Sequence, residues 1–138
     1  MKIIPHNLFK GENEVAIYES GEMYLETILV LKERTPFVRA VDVADKLSVA
    51  KSSVSEALRN LKKGGYIEIE ATGNIVLTDE GSRVAVRIFE RHKVLKRFFI
   101  SIGVDEKHAD EDACRIEHFI SDETFSCIGK HLEEMENK

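Results

Sequence analysis

Three residue types able to hold a transition metal stand together in the run DACRIEH: Cys114, Glu117 and His118. Their spacing is i, i+3 and i+4, which puts the three side chains on one face of a helix. A thiolate, a carboxylate and an imidazole on one face suit a divalent transition metal, and the sulfur disfavours Mg(II) and Ca(II). One helix cannot close a coordination shell, so other ligands must come from elsewhere. Met23 and Glu26, at i and i+3, are candidates, and His92 is another. A plainer reading stands beside this one. Cys114 and Met23 could fill a core, Glu26 and Glu117 could be solvated surface, and His118 a satisfied polar group.

A second set of side chains suits nucleic acid. The stretch VRAVDVADKLSVAKSSVSEALRNLKKGGYI predicts a short helix over about 40–47, a break at Ser48 to Ala50, and a second helix. Ser52 or Ser53 caps that second helix, and Val54, Ala57, Leu58 and Leu61 form its apolar face. Gly64-Gly65 stops it, with Lys62 and Lys63 at its negative end. YIEIE at 66–70 and NIVLT at 74–78 alternate as strands do, with Ala71-Thr72-Gly73 as the turn. Two tightly joined helices and a hairpin make a winged helix-turn-helix, whose second helix enters the major groove of double-stranded DNA. Here that helix offers Lys51, Ser52, Ser53, Ser55 and Glu56 to bases and phosphates, and Arg59 and Lys62 to the backbone. Thr72 and Asn74 are the candidates at the wing tip. The plainer reading makes the serines caps and the lysines partners of the helix dipole.

The surrounding elements must position both sets. Residues 1–19 have no firm period and read as a partly ordered arm. A helix starts at Ser20, its cap, buries Tyr24, Leu25, Ile28, Leu29 and Leu31, and ends at Thr35-Pro36. Thr78-Asp79-Glu80 opens a long helix to about Ile102. Val84, Ile88, Val94, Leu95, Phe98 and Phe99 are its apolar face, and Arg83, Arg87, Arg91, Lys93, Lys96 and Arg97 load the rest. A helix over about 105–120 follows, then one capped by Ser121 and running to about 135. The chain is therefore expected to be mostly α with a small β-hairpin wing. It divides into an arm (1–19), a winged helix domain (20–80) and a helical domain (81–138).

Charge follows the same division. The net charge of −5 is the sum of −2 over residues 1–35, +4 over 36–104 and −7 over 105–138. The basic middle suits phosphates, and the acidic end suits cations or a solvated helical surface. No run of 18 apolar residues exists, so no membrane helix is expected. The first residues, MKIIPHNLFK, lack the apolar stretch of a signal peptide. Two cysteines are too few for a disulfide framework, and a cytoplasmic location fits. No nucleophile–base pairing or Gly-rich phosphate loop suggests an enzyme.

EMYLETI at 22–28, VADKLSVAKSSVSEALRNLKKGGYI at 43–67, LTDEG at 77–81, RHKVLKRFF at 91–99 and DEDACRIEH at 110–118 together resemble the diphtheria toxin repressor family of metal-dependent regulators, which includes the manganese transport regulators. The resemblance runs from about Gly21 to Met135 and fits a two-domain form without the SH3-like third domain. It implies a homodimeric repressor, with metal as corepressor, that binds palindromic operator DNA. Met23, Cys114, Glu117 and His118 match the primary site of the iron-responsive branch, and His92 matches an ancillary ligand of both branches. Glu26 matches a carboxylate ligand of the manganese branch. Lys96 and Asp110 depart from the iron branch, which has a carboxylate and a histidine there. Fe(II) is the expected metal and Mn(II) the second, with other divalent transition metals able to bind in vitro. The alternative is a metal-independent winged helix regulator whose helical domain serves only dimerisation.

Overall fold

The computed structural model describes the backbone of residues 12–138 and the side chains of residues 21–138. Eight elements follow in order: α1 (Glu12–Arg34), α2 (Ala40–Leu47), α3 (Lys51–Lys63), β1 (Ile67–Ile69), β2 (Ile75–Leu77), α4 (Asp79–Ser101), α5 (Glu106–Ile116) and α6 (Asp122–Glu136). Helices joined to one two-stranded hairpin are the architecture the sequence predicts. The helix expected from Ser20 begins earlier, at Glu12, so Ser20 lies inside α1 and does not cap it. Residues 12–19 of the expected arm therefore belong to α1, and residues 1–11 lie outside the described residues.

The chain forms two compact units that divide between Val86 and Arg87, within α4. In the first unit, α1 packs on α2, α3 and β2. Its core takes Leu25 and Ile28 from α1, Val43 from α2, Val54, Leu58 and Leu61 from α3, and Ile67 and Ile75 from the hairpin. Pro36 follows the end of α1, as its clash with a preceding helical residue requires. In α2, the Asp42 carboxylate accepts a hydrogen bond from the Arg39 N–H at 2.9 Å, filling an orphan donor of the first turn. Ser48 then takes a left-handed conformation (φ 55°) and ends α2.

The hairpin is antiparallel, with Ile67 opposite Leu77, Glu68 opposite Val76 and Ile69 opposite Ile75. Each strand is one residue shorter at either end than YIEIE and NIVLT suggest. Thr78 joins it to α4. The Thr78 hydroxyl donates to the Gly65 carbonyl at 2.7 Å and accepts the Gly81 N–H at 3.1 Å, while the Thr78 N–H donates to the Tyr66 carbonyl at 3.1 Å. A β-carbon at Gly81 would stand 1.9 Å from that same Tyr66 oxygen, so only glycine permits this approach.

The second unit buries Ile88 and Leu95 of α4, Ala109 and Ala113 of α5, and Leu132 of α6. Ser121 caps α6 as expected, its hydroxyl accepting the Thr124 N–H at 3.1 Å. The helix expected over 105–120 is shorter. It ends at Ile116, and Glu117 to Ile120 form a turn.

Candidate metal centre and nucleic-acid interface

Glu117 is the C-cap of α5 and keeps helical dihedrals, its N–H bonded to the Ala113 carbonyl. Its side chain has no solvent exposure. A carboxylate excluded from water needs hydrogen bonds or a cation. Oε2 accepts from His92 Nδ1 at 2.9 Å. Oε1, which makes no hydrogen bond, lies 3.4 Å from His118 Nε2. One carboxylate thus gathers two imidazoles, brought from α4 and from the turn after α5.

Cys114, one turn back, is exposed, yet its Sγ lies within 4.8 Å of a Glu117 carboxylate oxygen. The i, i+3 spacing therefore brings Cys114 and Glu117 together. The shortening of α5 puts His118 on a turn, so the expectation of three ligands on one continuous helix is corrected. A carboxylate oxygen without a hydrogen bond, with a thiol and an imidazole beside it, is a donor set that fits a divalent transition metal.

His92 faces a carboxylate at each ring nitrogen, with Nε2 2.9 Å from Asp110 Oδ1. The ring spans the two carboxylates and orients Glu117. Lys96 Nζ reaches Asp110 at 3.5 Å and Glu106 at 3.4 Å. Burial opposes ionisation of Asp110, but the His92 hydrogen bond and the charges of His92 and Lys96 outweigh it and hold its carboxyl below the ordinary value. The two positions where the resemblance breaks down, Lys96 and Asp110, are thus neighbours in one charged chain that ends at Glu117.

Two candidates lie on α1 in the first unit. Glu26 is buried, and Met23 is half-buried against that unit's core. The Met23 carbonyl accepts the Thr27 hydroxyl at 2.8 Å.

Arg91 is the residue that sequence reasoning missed. Periodicity assigned it to the charged face of α4, but it is 5% exposed. Its Nη1 donates to the carbonyls of Glu117 (3.2 Å) and Ile120 (2.9 Å), and its Nη2 pairs with Asp122. The guanidinium also lies over the Phe125 ring, 5.1 Å from its centroid. No sequence period reveals a partner 26 residues away.

The candidate DNA-reading helix, α3, also departs from expectation at its start. Ala50, in an extended conformation, is its N-cap and makes no side-chain cap bond. Ser52 and Ser53 therefore do not cap the helix. They sit in its first turn and stay exposed with Lys51, Ser55 and Glu56. Exposed hydroxyls at a helix N-terminus, where the amides and the dipole favour anions, can donate to phosphate. Arg59, Lys62 and Lys63 are exposed farther along, and Thr72 is exposed on the hairpin turn.

Asn74 turns inward. Its Oδ1 accepts from the Val38 N–H and from Lys32 Nζ, each at 2.9 Å, and its Nδ2 donates to Glu70 at 2.8 Å. The Ile75 N–H adds a bond to the Val38 carbonyl at 2.8 Å. Asn74, the expected wing-tip candidate, ties the wing to the segment between α1 and α2.

Comparison with known proteins matches both halves of the chain. Residues 16–74 match the family profile described as the iron dependent repressor N-terminal DNA binding domain, and residues 78–138 match the iron dependent repressor metal binding and dimerisation domain. The chain is 34% identical over 122 residues to an uncharacterized HTH-type transcriptional regulator of Methanocaldococcus jannaschii, covering 87% of this chain and 98% of that one. It is 36% identical over 118 residues to the HTH-type transcriptional regulator MntR of Listeria welshimeri, covering 86% and 83%. A solved manganese-dependent transcriptional repressor in complex with manganese is similar with a TM-score of 0.76 at 28% identity, over 82% of this chain and 52% of that one. IdeR of T. acidophilum gives a TM-score of 0.73 at 26% identity, over 81% and 53%. The chain spans about half the length of these two solved repressors.

Proposed function

The chain belongs to the iron-dependent repressor family, and from that premise we propose that it is a homodimeric repressor whose affinity for palindromic operator DNA rises when a divalent metal is bound. The observation that carries the metal half is Glu117, wholly buried, with His92 and His118 converging on its carboxylate. This geometry lies inside the segment that matches a metal binding and dimerisation domain. The DNA half is supported by the uncapped, exposed first turn of α3 within the segment that matches a DNA binding domain. Among the described residues no helix is long and apolar enough to cross a membrane.

The ligands proposed from the second unit are Cys114, Glu117 and His118, with His92 joining the centre through Glu117. Met23 and Glu26 are proposed from α1 on their donor chemistry. When bound, the metal supplies positive charge to a carboxylate already removed from water. Sulfur from Cys114 and Met23 supports Fe(II) ahead of Mn(II), while Glu26 and the manganese-linked names among the relatives support Mn(II) as the second choice. The response is a population shift, in which free protein samples several arrangements and the metal-loaded protein favours the one that binds DNA. Catalysis has no part in this reading.

The test is selection of sheared genomic DNA on metal-stripped protein, run anaerobically with Fe(II), with Mn(II) and with chelator. Discrete palindromic fragments enriched only with metal are the expected result, and the stronger metal decides between iron and manganese. Glu117→Gln should lose the metal response and keep its fold. Enrichment that survives chelator would move the protein to the metal-independent class, in which Cys114, Glu117 and His118 are structural. No enrichment under any condition would overturn the DNA reading.

A further inference from the structure

We propose that Arg91 is a positioning residue for the metal centre, holding the turn that presents Glu117 and His118 in its ligand-ready shape before any metal arrives. The proposal rests on the metal reading of Glu117 above. The turn carries two candidate ligands but has little regular structure of its own. Its internal backbone bonds run from the N–H groups of Phe119 and Ile120, both to the Ile116 carbonyl. The Glu117 carbonyl, at the C-cap of α5, and the Ile120 carbonyl, just before α6, both need a donor from outside the turn. Both are taken by the one guanidinium, at 3.2 and 2.9 Å.

The same guanidinium pairs with Asp122 in the first turn of α6. Phe125, one turn farther on, lies beneath it. Arg91 therefore holds the connection from α5 to α6 at its start, its end and the helix beyond. It sits next to His92 in the chain, so one stretch of α4 supplies both the backbone grip and the side-chain hydrogen bond that set Glu117.

Arginine is required here and lysine is not equivalent. A planar fork reaches two carbonyls and a carboxylate at once and stacks on a ring. An ammonium is a single point with tetrahedral donors and a strong hold on water. Arg91 has no lone pair to give a metal, so it acts only through the groups it places. Partners that orient metal ligands typically matter by about 10–100-fold in affinity.

The experiment uses the metal-stripped 138-residue chain and Co(II), whose visible absorption reports ligand identity and geometry, in addition to titration with Fe(II) and Mn(II). Arg91→Lys is expected to weaken metal binding about tenfold or more and to change the Co(II) spectrum, at a temperature where the metal-free variant is still folded. DNA binding should recover at saturating metal. A folded Arg91→Lys with wild-type affinity and spectrum would overturn the proposal, because a merely structural role lowers thermal stability without moving either. If Arg91→Lys fails to fold, Asp122→Ala carries the test, since it removes one of the three anchors and leaves the charge of Arg91. It should weaken metal binding a few-fold, and unchanged affinity there would also overturn the proposal. Glu117→Gln keeps the two readings apart. If it binds metal like the wild type, the metal assignment itself fails, whatever Arg91 does.

Discussion

Replacing Gly81 with alanine sets two effects of opposite sign against each other. Gly81 lies in the first turn of α4, and at a compliant helical position Gly→Ala stabilises by up to about 1 kcal/mol. Here the new β-carbon would stand 1.9 Å from the Tyr66 carbonyl oxygen, a backbone atom that no rotamer change can move. The start of α4 and the base of the wing must separate by about an ångström or more. That movement breaks the Thr78 cap, about 1 kcal/mol, and the Thr78 N–H bond to Tyr66, about 1 kcal/mol. Residual overpacking adds about 1–3 kcal/mol. The net is a loss of about 2–4 kcal/mol, a large share of the stability of a small domain. At about 4 °C per kcal/mol, the melting temperature should fall by about 8–16 °C. Circular dichroism melts of metal-free protein measure this. Operator affinity should fall too, because Tyr66 anchors the wing, while metal affinity of the folded variant should hold. An unchanged or raised melting temperature would mean that helix propensity wins and the close approach is absent in solution.

Two further outcomes are expected. Asn74→Ala deprives the Val38 N–H and Lys32 of their acceptor and should cost about 1–3 kcal/mol in urea unfolding; Asn74→Asp, which keeps the acceptor but faces Glu70, should cost less, and a harmless alanine would refute the tie between wing and α1. Asp122 is held below its ordinary carboxyl range by the hydrogen bond to Arg87 and the charge of Arg91, so its folded value lies under its unfolded one. Its contribution to stability is then present above about pH 4 and lost as pH falls through the folded value. Asp122→Asn should therefore unfold more easily than wild type at pH 6 and no more easily near pH 2. A gap that stays constant across that range would refute the pairing.

Where residues declare their own local geometry, the fold was readable. The paired Gly64-Gly65, the alternating runs on either side of Ala71-Thr72-Gly73, and the hydroxyls of Thr78 and Ser121 mark element ends by chemistry that acts within a few residues. The errors share a different cause. Ser20-Gly21 resembles a helix start, but α1 runs through it. Ser52 and Ser53 resemble caps, but Ser48 ends α2 so tightly that the next helix already begins at Lys51, with Ala50 left at its cap. RIEHFISD holds no glycine or proline to end α5. The ending is shared with Arg91, which takes the carbonyls of Glu117 and Ile120 from outside the segment. Propensity and periodicity describe a helix and its neighbours in sequence, so a partner supplied by another element leaves no trace in them.

The same division explains why the donor residues were legible and their arrangement was not. Cysteine, glutamate and histidine at i, i+3 and i+4 advertise donor chemistry whatever surrounds them. Whether they form a site depends on which of them are desolvated and held, and the structure answers unequally: Glu117 is sealed, Cys114 is open, and His118 rides on a turn. That inequality suits a regulatory centre. A carboxylate already stripped of water during folding gives up no hydration when a cation arrives, so its attraction is expressed in binding and not spent on dehydration. An exposed thiol beside it can meet the ion first and exchange with water. On the proposed reading, the sealed carboxylate would supply charge and the turn held by Arg91 its geometry. A metal responder built this way is tuned less by the ligands it shows in its sequence than by the buried bonds that hold them.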